Sequence, residues 1–302
     1  MISAMTLKRD NPGREKSASA STGAGVYSVR PSPTEQRHPR SMNLDKLSVR
    51  EAIALVLNED ARIPKKLLAE AARIEEVIKA AARAFRRGGR LFYVGAGTSG
   101  RLGVLDASEC APTFSTPPDM VQGIIAGGQQ ALWGSVEGAE DDAGAGGHAI
   151  EMRSIGARDV VIGIAASGTT PFVWGALREA KRRGATTVLV CFNPFLSIPR
   201  SLRPAIIIAP NLGPELLTGS TRLKAGTATK LLLNLFTTLA MVRLGKVRSN
   251  LMINLNPANA KLRDRAVRIV QDLTGAAYPS AQQALHRSGW VITTAVARLG
   301  RK

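Results

Sequence analysis

The sequence has few residues that could build a metal site or a disulfide framework, and it has no long hydrophobic run. Its 302 residues include two cysteines, Cys110 and Cys191, and three histidines that lie far apart. Two cysteines cannot form a disulfide framework or a four-ligand zinc site, so we expect no metal centre. The longest uncharged apolar run, Leu231 to Val242, is too short to span a bilayer. We therefore expect no membrane association and a reducing, cytoplasmic environment.

Aromatic residues are also scarce, at 4% of the chain, whereas the formal net charge is +18. About half of the basic excess lies in the two ends of the chain, and no helix-turn-helix, zinc-finger or aromatic-rich RNA-binding signature accompanies it. This distribution favours a solvated basic surface over specific nucleic-acid binding. A positive field would still attract small anions towards a suitable cleft.

The chain divides into three parts by composition. Residues 1–42 are rich in Ser, Pro, Gly and Arg, and we expect a disordered basic tail that is dispensable. Residues 43–249 contain short β-branched runs that alternate with helical patterns, which predicts an α/β fold with a central parallel sheet. Residues 250–302 indicate a small C-terminal region of two or three helices. The predicted strands are 91–94, 121–126, 160–165, 187–191 and 206–209, and the clearest helices are 64–87, 172–183 and 223–244.

A glycine-rich loop that begins at Gly95 follows the first predicted strand and opens a helix. It matches the G-x-G-x-x-G pattern of dinucleotide sites, but the second strand ends in Ala126-Gly-Gly, where such a site needs an acidic residue. The backbone at Gly97 and the hydroxyls of Thr98 and Ser99 could instead donate to a phosphate at the helix N-terminus. Simple helix capping by the same hydroxyls is an equal alternative on this loop alone.

Two further hydroxyl-rich clusters favour the phosphate. The cluster after the third strand consists of Ser167, Gly168, Thr169 and Thr170, with Thr170 as the expected N-cap of the next helix. The cluster before the long helix consists of Ser220, Thr221 and the cation Lys224. Because no Walker lysine-serine pair is present, a sugar phosphate is favoured over a nucleoside triphosphate. We expect all three loops to converge on one anion at neighbouring helix N-termini.

Two acidic clusters flank these loops. Asp106 and Glu109 follow the first glycine loop, and the run from Glu137 to Asp142, which includes Glu140, follows the second strand. Capping and solvation are sufficient explanations for such clusters, since Asp106 and Glu109 have capping-box spacing. A pair of carboxylates beside a bound sugar can also act as general acid and base.

These motifs resemble the N-acetylmuramic acid 6-phosphate etherase family. The similar segments, in chain order, are 95–103, 106–110, 126–128, 136–141, 163–168 and 218–227. The similarity extends from about Thr34 to Gly275. It implies the three-layer sugar isomerase (SIS) fold, a homodimer and no cofactor or metal. The family resemblance also implies a helix beyond Lys302, so we expect the C-terminal helical region to be shortened.

The resemblance implies cleavage of the lactyl ether of N-acetylmuramic acid 6-phosphate to N-acetylglucosamine 6-phosphate and D-lactate. By motif, Glu109 matches the acid that protonates the departing lactate, and Glu140 matches the other catalytic carboxylate, the base at C2. The alternatives on the same fold are a non-catalytic phosphosugar-binding regulator, similar to the glucokinase regulatory proteins, and an aldose-ketose isomerase. The presence of both glutamates favours the etherase.

Overall fold

The computed structural model describes residues 25–300, and a five-stranded parallel sheet lies at its centre. The strands of this part of the chain are β1 (Tyr27–Ser28), β2 (Leu91–Gly95), β3 (Val121–Ile125), β4 (Val160–Ile164), β5 (Thr186–Val190), β6 (Leu196–Ser197), β7 (Ile206–Ile208), β8 (Val247–Arg248) and β9 (Leu251–Met252). Five of them, β2, β3, β4, β5 and β7, form the central sheet and agree with the predicted strands to within a residue or so.

Ten α-helices lie within the described residues. They are α1 (Val49–Asp60), α2 (Ile63–Leu68), α3 (Ala71–Arg86), α4 (Gly97–Phe114), α5 (Ala143–Glu151), α6 (Pro171–Arg182), α7 (Lys224–Arg243), α8 (Ala260–Thr274), α9 (Tyr278–Arg287) and α10 (Ile292–Leu299). The stretch that the sequence predicts as one helix from Pro64 to Arg87 is therefore two helices, α2 and α3.

The strand order of the central sheet is β3-β2-β4-β5-β7, with all neighbours parallel. The chain runs from β2 to β3 at the edge and then crosses back over β2 to β4. Open parallel sheets bind ligands at such a reversal point, outside the carboxyl ends of the strands. Gly95 at the end of β2 pairs with Ile164 at the end of β4, so the loops that follow these two strands begin side by side.

Helices cover both faces of the sheet, because successive strand residues point to opposite faces. Leu91 and Tyr93 of β2 face the core formed with α3, α4 and α7. Phe92 and Val94 face the core formed with α5 and α6. Both faces are buried, which explains why β2 is apolar along its whole length. The result is the predicted three-layer α/β fold.

α7 is a core helix, although its length and composition would also suit a membrane span. It has 20 residues with a mean hydropathy of 1.3 over its most apolar window, and 56% of that window is buried inside the fold. Leu232, Leu233 and Phe236 are among its side chains that pack against α3 and the sheet. The apolar run of the sequence is therefore accounted for by packing.

The N-terminal segment, defined as residues 32–41, differs from the prediction of a disordered tail. Thr34 and His38 are buried, the Thr34 carbonyl accepts the Gly219 N–H at 3.0 Å, and Ser41 Oγ donates to the Leu216 carbonyl at 2.7 Å. These partners lie about 180 residues away along the chain, so the low apolar content of the segment did not reveal them. Residues 1–24 of the predicted tail lie outside the described residues.

The C-terminal region packs around a small core of its own. α8, α9 and α10 bury Val267, Val270, Leu285 and Val296 against one another. The Asn256 N–H donates to the Pro112 carbonyl at 3.2 Å and connects this region to the end of α4. The sequence predicted two or three helices here, and three lie within the described residues.

The contact between α5 and α6 generates a prediction about stability. A Cβ added at Gly175 would lie 1.8 Å from the Ala143 carbonyl oxygen, so the two helix backbones would have to separate. We expect Gly175→Ala to lower the free energy of unfolding by about 1–3 kcal/mol, as overpacking does. The measurement is equilibrium denaturation in urea.

Gly147→Ala is the matched control for that experiment. Gly147 is also helical at the same interface, but its added Cβ would meet only ordinary contacts at 3.7 Å and beyond. We expect this variant to be neutral or stabilised by up to about 1 kcal/mol, since alanine is the better helix former. Equal destabilisation of both variants would contradict the close-packing explanation.

Candidate active site

The first two hydroxyl-rich loops meet at the carboxyl ends of β2 and β4. The loop after β2 presents Thr98 and Ser99 in the first turn of α4, and the loop after β4 presents Ser167 to Thr170 in front of α6. Gly168 has a φ of +84°, and a Cβ there would lie 2.3 Å from Leu196 Cδ1, so only glycine fits this turn. The sheet register thus brings the predicted loops to one place.

Buried side chains hold the backbone of the second loop. Asn193 Nδ2 donates to the Ser167 carbonyl at 3.0 Å, and Trp174 Nε1 donates to the Gly168 carbonyl at 2.8 Å. The hydroxyls of Ser167 and Thr169 lie 3.1 Å apart. These contacts fix the backbone of the loop, and two of its hydroxyls are grouped together.

Helix capping does not account for these hydroxyls. The N-cap of α4 is Ala96, not Thr98 or Ser99, and Thr170 occupies the N-cap position of α6 without a capping hydrogen bond from its side chain. The first backbone N–H groups of both helices have no partner within the helix. The two helix N-termini and their hydroxyls are thus suited to one anion between them.

The third cluster lies next to the first, but it contributes less than the sequence predicts. A Cβ added at Gly226 in the first turn of α7 would lie 3.5 Å from Thr98 Cγ2 and 3.6 Å from the Thr221 carbonyl oxygen. Ser220 and Thr221 are half-buried at this position. The N-terminus of α7 is not free for an anion, because the Glu215 carboxylate accepts the N–H groups of Lys224 and Ala225 at 3.0 and 2.9 Å.

Lys224, which the sequence predicts as the substrate cation, is turned away from the loops. Its side chain is 3% exposed, and its Nζ lies 3.1 Å from Glu59 Oε2 and 3.1 Å from the Leu212 carbonyl oxygen. Burial lowers the pKa of Lys224, opposed mainly by the negative charge of Glu215. The ammonium of Lys224 is thus engaged by Glu59 and by the Leu212 carbonyl of its own chain, whereas the sequence predicts that it contacts the substrate.

Glu109 lies in the fourth turn of α4 and lines a cavity of about 530 Å³ between α4 and α7. One turn earlier, the buried Asp106 accepts from Tyr93 Oη at 2.9 Å, Asn234 Nδ2 at 2.8 Å and Thr237 Oγ1 at 3.4 Å. Burial raises the pKa of Asp106, while these hydrogen bonds oppose the rise. The network ties β2, α4 and α7 together directly beneath Glu109.

Asn234 was not predicted as a member of this network. The available signal was that Asn234 and Thr237 are polar residues three apart within the mainly apolar run Leu231 to Val242, which places them on one face of the helix. Cys110, in the same wall, is buried, and burial raises the pKa of its thiol to about 12.

The acidic run after β3 separates into structural and free carboxylates. Glu137 accepts from Ser135 Oγ at 2.6 Å, and Asp142 caps α5 by accepting the Ala145 N–H at 2.8 Å. Glu140 is exposed in a short 3-10 turn (Ala139–Asp141) and makes no hydrogen bond or ion pair with any described residue. Asp141 beside it is likewise exposed and has no side-chain partner among the described residues, so the run offers two free carboxylates, of which the family resemblance assigns Glu140.

Glu109 and Glu140 of one chain lie on opposite sides of the sheet. Glu109 is on the side of α3, α4 and α7, whereas Ala139, next to Glu140, packs into the core of α5 and α6. Glu109 also lies roughly 18 Å along α4 from Gly97, at about 1.5 Å per residue. The structure does not bring the two carboxylates together within one chain.

Within residues 25–300, no three histidine, cysteine or carboxylate side chains are grouped closely enough to hold a metal ion. The groups that the described residues place at the two loops are hydroxyls and backbone amides, and carboxylates lie on the neighbouring elements. These groups can bind an anion and transfer protons.

Comparisons with known proteins agree with this geometry. Residues 71–181 match the family model described as the glucokinase regulatory protein N-terminal SIS domain. Together with the parallel sheet and the hydroxyl-rich loops at its carboxyl edge, this match defines a sugar isomerase (SIS) domain protein.

Close relatives identify the particular family. The N-acetylmuramic acid 6-phosphate etherase of Cutibacterium acnes is 50% identical over 263 residues, which cover 87% of this chain and 86% of the relative. That of Gloeothece citriformis is 54% identical over 256 residues, covering 85% and 83%, and that of Serratia proteamaculans is 49% identical over 263 residues, covering 87% and 88%. The chain belongs to the N-acetylmuramic acid 6-phosphate etherase family.

Removal of a hydroxyl that binds an anion lowers the affinity for the anion, whereas removal of a hydroxyl that caps a helix lowers the stability of the fold. This difference gives a prediction. We expect Ser167→Ala to weaken the binding of inorganic phosphate by roughly tenfold to 150-fold, since a hydrogen bond to a charged group contributes about 1.5–3 kcal/mol. Its melting temperature should change little. Isothermal titration with inorganic phosphate and thermal unfolding measure the two effects.

Ser48→Ala is the converse control. Ser48 forms a capping box with Glu51 at the start of α1, far from the loops in sequence. We expect this variant to lose about 1 kcal/mol of stability and to bind phosphate normally. A normal phosphate affinity in Ser167→Ala would show that its hydroxyl has a structural role only.

Proposed function

We propose that the protein is an etherase that converts N-acetylmuramic acid 6-phosphate into N-acetylglucosamine 6-phosphate and D-lactate. The observation that carries this proposal is the roughly 50% identity to etherases over most of both chains. It is supported by the position of Glu109 and Glu140, two exposed carboxylates that no other described residue engages.

In this proposal, the phosphate of the substrate lies at the N-termini of α4 and α6. The backbone amides there and the hydroxyls of Thr98, Ser99, Ser167, Thr169 and Thr170 donate to its oxygens, and Ser220 and Thr221 complete the cradle from the side of α7. Gly97 and Gly168 have no side chains, so the backbone can approach the phosphate closely at these positions. Lys224 supports the cradle from behind and makes no contact with substrate.

The chemistry follows from the acidity of C2 in the ring-opened sugar, where C2 lies next to the C1 aldehyde. One glutamate, assigned as Glu140, removes the C2 proton, and the other, Glu109, protonates the lactate oxygen as the C3–O bond breaks. Water then adds to the resulting C2–C3 double bond, with its hydroxyl on C3 and its proton on C2. These steps need proton transfer only, so we propose that the enzyme uses no cofactor or metal, and that it acts in the cytoplasm.

The geometry also supports a homodimer whose sites are shared between two chains. C3 of the substrate is only three carbon–carbon bonds from the phosphate-bearing C6, at about 1.5 Å per bond. Glu109 lies too far along α4 to reach C3 of a sugar whose phosphate is held by its own chain. We propose that Glu109 of one chain and Glu140 of the other complete each site.

An exposed apolar face next to Glu109 fits this arrangement. α2, α3 and α7 enclose a groove of about 740 Å³ that is lined mainly by leucine and isoleucine side chains. α1 leaves Val49, Ile53 and Leu57 exposed beside it. Asn234 lines both this groove and the cavity of Glu109, so a second copy covering the groove would meet Glu109.

A non-catalytic phosphosugar-binding regulator is the second candidate, because the family model matched by residues 71–181 describes such a protein. Incubating the purified protein with N-acetylmuramic acid 6-phosphate and assaying D-lactate separates the two functions. Release of D-lactate supports the etherase, whereas binding without release supports the regulator.

Substitution of the two glutamates tests the catalytic assignment. We expect Glu109→Gln and Glu140→Gln each to lower kcat by at least about 10²-fold with the fold intact, as loss of an acid or base does. Glu137→Gln is the matched control, since Glu137 is engaged by Ser135, and it should be much milder. If Glu137→Gln is the crippling change and Glu140→Gln is not, the wrong carboxylate of the run has been assigned.

Mixing the two inactive variants tests whether the site is shared. When Glu109→Gln and Glu140→Gln chains are unfolded together and refolded, a mixed dimer has one site with both glutamates and one with neither. Random pairing should therefore restore about a quarter of the unsubstituted activity. If both glutamates of a site came from one chain, the mixture would stay inactive.

A further inference from the structure

A cluster of buried charges connects the N-terminal segment to the first residue of α7. Glu59, in the last turn of α1, has a side chain that is only 5% exposed. Its carboxylate lies 3.1 Å from Lys224 Nζ, 3.2 Å from His38 Nε2 and 3.1 Å from Arg62 Nη1, and it also contacts Arg40. One carboxylate thus joins three parts of the chain that are distant in sequence.

Lys224 also contacts the loop in front of α7. Its Nζ donates to the Leu212 carbonyl at 3.1 Å, at the beginning of the loop. Its backbone N–H donates to the Glu215 carboxylate at 3.0 Å. The loop that carries Ser220 and Thr221 is therefore fixed at one residue through both a side-chain and a backbone contact.

The N-terminal segment holds the same loop from outside. The Thr34 carbonyl accepts the N–H of Gly219, which directly precedes Ser220, and Ser41 Oγ donates to the Leu216 carbonyl. His38 and Arg40 of the segment both contact Glu59. The segment, Glu59 and Lys224 thus form a single support behind Ser220 and Thr221.

Stability alone is a weak explanation for this cluster. Buried ion pairs stabilise proteins little compared with apolar side chains of similar volume, because taking charges out of water is costly. What a buried network with fixed partners does provide is one defined geometry. The geometry defined here is the position of Thr221 next to Thr98, since both lie close to Gly226 in the first turn of α7.

We propose that Glu59 is a positioning residue for the phosphosugar, and that it acts by holding Lys224 and the N-terminal segment as one support for the Ser220–Thr221 side of the phosphate cradle. Glu59 is buried and touches no substrate. The inference rests on the proposed function in one respect, namely that Ser220 and Thr221 contact the phosphate. A shift of about 1 Å in a positioning group is enough to weaken catalysis strongly.

The test is Glu59→Gln, which keeps the size of the side chain and removes its charge. We expect the Kd of inorganic phosphate and the KM of N-acetylmuramic acid 6-phosphate to rise by at least about tenfold, whereas kcat falls much less because Glu109 and Glu140 are unchanged. A role in stability alone would lower the melting temperature and leave the Kd and KM unchanged, and that result would overturn the proposal.

Asp159→Asn is the matched control. Asp159 is also a buried carboxylate, 2.9 Å from Arg90 Nη2, but it precedes β4 at the amino edge of the sheet, opposite the loops. We expect a comparable loss of melting temperature with normal Kd and KM. If Asp159→Asn raised Kd and KM as much as Glu59→Gln does, the effect would be one of general destabilisation and the proposal would be wrong.

Ser41→Ala decides the matter if Glu59→Gln does not fold, since it removes one neutral hydrogen bond to the same loop. We expect about a two- to tenfold rise in the Kd of inorganic phosphate, and an unchanged Kd would overturn the proposal. The phosphate titrations do not depend on turnover. If the unsubstituted protein binds phosphate but releases no D-lactate, the proposed function fails while these titrations still decide the role of Glu59. If it binds no phosphate, both proposals fail.

Discussion

Gly95 and Ile164 are partners in the two central strands, β2 and β4, and the loops after them start side by side. The candidate site depends on this pairing. Because the strands are parallel, their carboxyl ends meet at one edge, and each is followed by a helix whose N-terminal amides point back towards that edge. Two loops about 70 residues apart in sequence thereby lie side by side, and glycine at position 168 leaves room for Leu196 to pack against the second loop.

The same topology separates Glu109 and Glu140 within one chain. α4 and the helices that follow β3 pack on opposite faces of the sheet, so the two glutamates lie on different sides of it. In the proposed homodimer, a site shared between two chains resolves this separation, and it gives a role to the exposed apolar side chains of α1 and to the groove beside α7. In that proposal, one chain binds the phosphate and two chains together supply the pair of glutamates.

Two elements that sequence reasoning treated separately act together in the structure. The N-terminal segment has the composition of a disordered tail, and Lys224 has the position of a ligand-binding cation. The N-terminal segment and Lys224 are joined by contacts. Thr34 and Ser41 of the segment form hydrogen bonds with the loop before α7. Lys224, at the start of α7, pairs with Glu59, which His38 and Arg40 of the segment also contact. Composition and motif position indicate which chemical groups a segment carries. They do not show which distant residue will be the hydrogen-bond or ion-pair partner of each group.

The sequence by itself determined the local features of this protein. Short β-branched runs placed the strands, and period-3.6 patterns placed most helices. Glycines and hydroxyls after strands marked the loops, and long motifs in order identified the family. Tertiary structure alone decided which hydroxyls are free of capping, that the ammonium of Lys224 is buried, that Asn234 joins Asp106 and Tyr93, and that Glu109 and Glu140 lie on opposite faces. The physical reason is that the spacing of apolar residues indicates which face of a helix or strand is buried. Hydrogen-bond and ion-pair partners come from distant segments, and only the packing of the whole chain brings these together.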